Sequence, residues 1–203
     1  MNDKHAALLP DQYYHIYNRA NGNEKLFLHD ENYAFFLRQY KIYISSFSKT
    51  TAYCLMPNHF HFLIQINDEE LLKSTFPKFG TLEKYEQANL LSKRFSNLFS
   101  SYTQAFNKQQ GRKGSLFIKN FKKKHIDDSS YFTRLIQYIH LNPVDAGIVS
   151  LAENWKYSSY AAIIGSKKTQ VERTQVLEWF DGLDNFKDIH RQCTKLQFDD
   201  LGF

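Results

Sequence analysis

Cysteine is nearly missing from this chain of 203 residues: only Cys54 and Cys193 occur, far apart and in no Cys-x-x-Cys pair. That excludes a disulfide scaffold and fits free thiols in a reducing compartment. Cys54 sits in an apolar run and reads as a small core residue. No apolar run is long enough to span a bilayer. Residues 1–10 hold no apolar segment of the secretory kind. There is no P-loop motif for a nucleoside triphosphate, no internal repeat and no low-complexity tract. Together these absences lead us to expect a cytoplasmic protein that takes no membrane partner.

Hydrophobic residues make up 42% of the chain and charged residues 23%, as in ordinary soluble domains. The length suits one domain, or one domain with an appendage. Aromatic residues are abundant, with 18 Phe and 13 Tyr, enough to fill a core and still offer stacking surfaces. The net charge of +5 is compatible with a polyanionic partner.

The most informative stretch is Met56-Pro57-Asn58-His59-Phe60-His61-Phe62-Leu63-Ile64-Gln65-Ile66. Its period of two predicts a β-strand. Phe60, Phe62, Ile64 and Ile66 then point one way, and His59 and His61 the other. Two imidazoles on one face can hold a divalent ion; equally, they can be two polar residues on a solvated face. A zinc-hydrolase pattern would continue with Asp-His, and a histidine-triad hydrolase would need a third His at 63, where Leu63 stands. Partners for the pair must come from elsewhere in the chain.

Residues 13–19 (Tyr-Tyr-His-Ile-Tyr-Asn-Arg) are β-prone and predict a first strand. His15 and Tyr17 share one face of it, either reaching a site or exposed. Residues 30–47 predict a helix with Asp30 as N-cap. Residues 51–56 predict a second strand, joined to the histidine strand by a turn at Pro57-Asn58. Residues 67–79 start acidic and end as a loop. Residues 82–108 predict a long helix, with Tyr102 on its apolar stripe. A helix capped by Asp127 or Asp128 follows to about Asn142, with Phe132, Leu135, Ile136 and Ile139 on its core face and Pro143 ending it. Tyr138 and Asn142, four residues apart, share its flank. A short helix beginning at 157–161 stops at Gly165, residues 166–169 link, and helices at 171–180 and 185–194 close the chain.

Residues 110–126 interleave Arg112, Lys113, Lys119, Lys122, Lys123 and Lys124 with Phe117, Phe121 and glycines. Such a stretch suits contact with a nucleic-acid backbone, the glycines letting the chain approach closely. Its end, 122–126, predicts a last strand.

Five segments together resemble the REP-associated tyrosine transposases, of the single-strand transposase branch of the HUH nucleases. They are Tyr-His-Ile-Tyr-Asn-Arg (14–19), Met-Pro-Asn-His-Phe-His-Phe-Leu-Ile (56–64), Gly-Ser-Leu-Phe with Phe-Lys (114–122), Tyr-Ile-His-Leu-Asn-Pro-Val with Ala-Gly (138–147), and Trp with Tyr-Ser-Ser-Tyr (155–160). The resemblance covers roughly residues 10–165. It implies an α+β, ferredoxin-like antiparallel sheet packed by helices, with additional C-terminal helices. A catalytic domain would span 1–165 and a helical extension 166–203.

The same resemblance implies a metal-dependent endonuclease and strand transferase acting on single-stranded, hairpin-bearing DNA through a covalent 5′-phosphotyrosine. Tyr138 would be the nucleophile, His59 and His61 the metal pair, Asn142 a third ligand, and Mg²⁺ or Mn²⁺ the ion. Relatives often carry Gln at the position of Asn142, and Arg where this chain has Asn120 and Asp145. His140 is a candidate for taking the phenolic proton, or else a surface histidine; Tyr102 is the rival nucleophile. The extra C-terminal helices favour a monomer, although relatives include dimers. The alternative is a protein that binds hairpin DNA without cutting it.

Overall fold

The computed structural model describes residues 6–128 and 130–192. Cys193 and the end of the helix expected to reach 194 lie outside them. Four strands form one antiparallel sheet: β1 (Tyr13–Arg19), β2 (Ser48–Met56), β3 (His59–Ile66) and β4 (Lys122–Ile126). Their order is β2-β3-β1-β4. With α1 (Asp30–Tyr43) between β1 and β2, and α3 (Lys84–Gln110) between β3 and β4, this is the ferredoxin-like arrangement. The remaining helices are α2 (Glu69–Thr75), α4 (Ser130–Asp145), α5 (Tyr160–Ile164), α6 (Arg173–Trp179) and α7 (Leu183–Gln192).

The period of two in β3 divides the molecule. Phe60, Phe62, Ile64 and Ile66 enter a core shared with α1 and α3, where Phe36, Tyr40, Phe95, Phe99 and Tyr102 are buried. Leu63 enters a second core on the other face, with Leu135, Ile136 and Ile139 of α4 and Val176, Phe180 and Phe186 of the C-terminal segment. Cys54 is buried there as a free thiol, and burial pushes its pKa up, so it is unreactive.

Three local details differ from the sequence pattern. Asp30 is the first helical residue, not the cap: His29 occupies that position, and the Asn32 side chain accepts from the backbone of Leu28 and His29 at 3.0 and 3.1 Å. Residues 69–75, the acidic start of the segment expected to end as a loop, are helical, with Asp68 capping the N–H of Leu71 at 2.8 Å. Pro143 does not end α4 but lies inside its last turn. The helix stops at Gly147 (φ +68°), where Gly147 N–H reaches Val144 O (2.9 Å) and Ile148 N–H reaches Pro143 O (2.9 Å). This is a Schellman closure, whose left-handed residue favours glycine. Proline has no N–H to give Ile139 O, yet the helix runs through it and Asn142 stays helical.

Strand β2 is an edge of the sheet, and its outer side is covered. Leu55 N–H donates to Tyr157 O and Ser159 N–H to Tyr53 O, both at 2.9 Å, while Glu172 N–H donates to Thr50 O at 2.8 Å. The Tyr-Ser-Ser-Tyr motif therefore closes an edge. It also anchors a buried chain of hydrogen bonds. His190 Nδ1–H donates to Phe186 O (2.7 Å), so its Nε2 accepts from His140 Nδ1–H (3.0 Å). His140 Nε2 then accepts from the Ser159 hydroxyl (2.7 Å), whose oxygen takes Tyr53 N–H (2.9 Å). Only neutral imidazoles satisfy this order. Burial lowers both pKa values, that of His190 to about 4.

A histidine whose folded pKa lies below its unfolded value near ~6.5 contributes full stability above that pH and loses it as the pH falls. Urea unfolding at pH 5 is therefore expected to show a lower free energy than at pH 7, by on the order of 2 kcal/mol for each such histidine. The drop should shrink in His190→Gln; an equal drop would place the sensitivity elsewhere.

Candidate active site

The face of the sheet turned toward α4 collects side chains from three strands. Register sets Tyr17 opposite His61 and Arg19 opposite His59. On the other side of β1, Lys122 lies opposite Tyr17 and Lys124 opposite His15. Over this face runs α4, and it delivers Tyr138 and Asn142 onto the histidine pair. The rings of His61 and Tyr138 meet edge to face at 5.3 Å, and those of His59 and His61 at 5.1 Å. Asn142 sits beside the Tyr138 phenol and draws its pKa down, and its Oδ1 lies 2.9 Å from His59 Nε2. The expected quartet of His59, His61, Tyr138 and Asn142 is thus brought together.

Burial dominates the electrostatics. It lowers the pKa of His59, aided by the Arg19 charge and opposed by the bond to Asn142. It lowers that of His61 well below the usual range, with His15 and His59 adding to the effect. Both imidazoles are neutral at neutral pH, the state a metal requires. Burial also raises the Tyr138 phenol to about 12, against the pull of Asn142. His15, at 1% exposure, is held down at about 3 by burial and by Lys124.

The donor set fits a cation of modest demands. His59 Nδ1 lies 2.7 Å from Asn58 Oδ1, and a neutral imidazole has a single N–H. With Nδ1–H donating to Asn58 Oδ1, His59 Nε2 keeps a lone pair, which would meet either the amide NH₂ of Asn142 or, with the carbonyl turned inward as here, a cation shared with it. No group of three or more His, Cys, Asp or Glu side chains placed to hold a metal occurs among the described residues. A metal here would have two imidazoles and one amide oxygen to hold it.

Two of the sequence-stretch candidates for chemistry fall outside the site. Tyr102 is buried on the α3 side of the sheet, its hydroxyl donating to Leu26 O. His140 has both ring nitrogens engaged in the buried chain, so it is neither a surface residue nor placed to take the phenolic proton.

The basic residues separate. Lys122 and Lys124 stand on the face turned toward α4, over the rings of Tyr17 (5.6 Å) and Tyr131 (5.1 Å). Lys123 points to the opposite face and donates to Ser92 Oγ at 2.9 Å. Lys119 lines a cleft of about 710 Å³ with Lys123, Phe117, Phe121 and the hydroxyls of α3. Arg112 is tied to Glu24 at 2.7 Å and to Asn107, while Lys113 is exposed. Gly111 (φ +62°) serves as the left-handed cap of α3. Arg19 and Tyr131 were not singled out by sequence reasoning. Arg19 shares a strand face with His15 and Tyr17 by alternation, a signal that was available; nothing local marked Tyr131.

The fold and the site geometry define a ferredoxin-like α+β protein whose central strand presents paired histidines to a helical tyrosine. Comparison with known proteins points the same way. No family model matches the chain. A Haemophilus influenzae protein provisionally named a REP-associated tyrosine transposase is 26% identical over 115 residues, 55% of this chain. The chain spans 58% of the length of that relative. The solved structure of a REP-associated tyrosine transposase bound to a REP hairpin has the same fold, with a TM-score of 0.53 at 12% identity over 81% of this chain and 86% of that one. A curated sequence and a solved fold of that kind are thus both similar to this chain.

The two tyrosines should separate by stability. Tyr102→Phe removes a buried hydrogen bond and is expected to lower the unfolding free energy by about 1–2 kcal/mol. Tyr138→Phe, at the open flank of its helix, should lower it by less than ~0.5 kcal/mol. The reverse ranking in urea titrations would contradict the burial described.

Proposed function

We infer that the protein is a DNA endonuclease and strand transferase of the REP-associated tyrosine transposase type, acting on single-stranded DNA beside a hairpin. The observation that carries this reading is the meeting of the Tyr138 phenol with the His59–Asn142 pair and the ring of His61. Tyr138 Oη attacks a backbone phosphorus, the bond to the 3′ oxygen breaks, and the 5′ phosphate stays on the tyrosine. In net terms the phenolic proton ends on the released 3′ oxygen. Attack by another 3′ hydroxyl reverses the step and rejoins the strand, with no nucleoside triphosphate consumed.

His59, His61 and Asn142 would hold a divalent cation, Mg²⁺ or Mn²⁺; two imidazoles favour Mn²⁺. When bound, it polarises the phosphate and offsets charge on the attacking oxygen. That help matters because a phenol raised to about 12 is almost wholly protonated at neutral pH. Asn142 orients the phenol, and Arg19, Lys122 and Lys124 give this face a positive potential suited to a phosphate backbone. Tyr17 and Tyr131 offer rings on which unpaired bases can stack. All four central residues come from one chain, which supports a monomer as the acting unit.

The test is incubation of hairpin-bearing single strands with Mn²⁺, followed by denaturing electrophoresis. Wild type and Tyr102→Phe should give a denaturation-resistant protein–DNA adduct, and Tyr138→Phe none. Tight, chelator-insensitive binding without adduct across varied hairpins would instead support a non-cleaving binder. In the same assay, Lys122→Ala with Lys124→Ala should weaken binding about 10-fold or more, with a shallower salt dependence, while Lys123→Ala stays within about 3-fold.

A further inference from the structure

Beneath the histidine pair lies a third histidine that the reaction as described does not use. His15, on β1, is the diagonal neighbour of His61 across the β1–β3 ladder, since Leu63 is its register partner and Tyr17 is that of His61. Their ring planes lie within 27° of each other with centroids 5.1 Å apart, and His15 Nε2 lies 2.9 Å from His61 Nδ1, so the two rings meet edge to edge. Both side chains are buried, at 1% and 4% exposure.

We propose that His15 is a positioning residue for the candidate metal site, accepting the Nδ1 proton of His61 and thereby leaving His61 Nε2 as the ligating nitrogen. The proposal rests on the metal reading above. Between two neutral imidazoles in one hydrogen bond, one must donate and the other accept. If His61 donates from Nδ1, its Nε2 carries a lone pair; if it accepts there, its Nε2 carries a proton and cannot bind a cation. Acceptance by His15 and cation binding at His61 Nε2 are therefore thermodynamically linked, so each strengthens the other. Ligating histidines are commonly oriented by a carboxylate or carbonyl. Here the orienting group is a second imidazole, which brings no negative charge into the buried layer. The in-plane contact also fixes the ring plane of His61, which sets the direction of its second nitrogen.

The consequence is measurable without DNA or turnover. Titrating the full chain with Mn²⁺ by calorimetry, His15→Phe keeps the ring's bulk but removes the acceptor and should weaken binding about 10- to 100-fold. His15→Gln, whose Oε1 can accept, should remain within a few-fold of wild type. Long-range ¹H–¹⁵N spectra of the wild-type protein with Mg²⁺ should show the His61 proton on Nδ1. Unchanged Mn²⁺ affinity in His15→Phe, with loss in His61→Ala, overturns the role of His15 while leaving the metal reading intact. Wild type binding Mn²⁺ no better than His61→Ala overturns both. Should His15→Phe fail to fold, a His61 proton found on Nε2 in the wild type overturns the proposal by itself.

Discussion

A polarised run of hydrogen bonds, from Tyr53 N–H through Ser159, His140 and His190 to the carbonyl of Phe186, decides where α4 lies. Each end is fixed by a backbone group, so the proton order is imposed and the imidazoles cannot trade roles. The run crosses from the edge of β2 through the middle of α4 to α7. Two residues before His140 comes Tyr138, and two after it Asn142. The buried flank of α4 is thus bolted down at the residue midway between its two candidate site residues. Hydrogen-bonded polar groups in an apolar layer are intolerant of misplacement, because each loses its partner when the helix slides. The position of the phenol above the paired histidines follows from that intolerance.

Much of the frame was legible because it follows local periodicity. The strand at 59–66 shows a period of two over eight residues, and its Phe and Ile side chains fill the α1–α3 core as the alternation requires. The long helix declared itself by Leu91, Phe95, Leu98 and Tyr102, all buried on one stripe. What was illegible depends on distant partners. Nothing near His140 announces His190, fifty positions away, so a buried hydrogen-bonding residue looked like a free base. The helix stop was placed at Pro143 because proline's local rule ignores the Gly147 closure that makes it harmless. The glycine at 111 looked like a point of close approach to a ligand, whereas it turns the chain at the end of α3.

The three consecutive lysines at 122–124 show how a composition signal divides once a strand is recognised. Read as a run, they form one basic cluster. Placed on β4, alternation sends Lys122 and Lys124 to the side of Tyr138 and Lys123 to the side of α3. Likewise, Arg112 had looked like a phosphate contact, but it sits in an ion pair with Glu24 that organises the loop after α3. Charge that is counted from sequence is therefore an upper bound on charge that is offered to a polyanion.

The covering of β2 sets a limit on how this chain can be shortened. Its outer hydrogen-bonding groups meet residues 157–159 on one stretch and residue 172 on another. A protein ending at Gly165 would keep every residue of the histidine–tyrosine quartet, yet it would bare Thr50 O at the irregular end of β2 and remove Val176, Phe180 and Phe186 from beneath α4. Uncovered edges of that kind recruit other strands. Residues 171–186 thus complete both the edge of β2 and the core beneath α4, so a version trimmed to the motif-bearing segment would lose the packing under the helix that carries Tyr138 and Asn142.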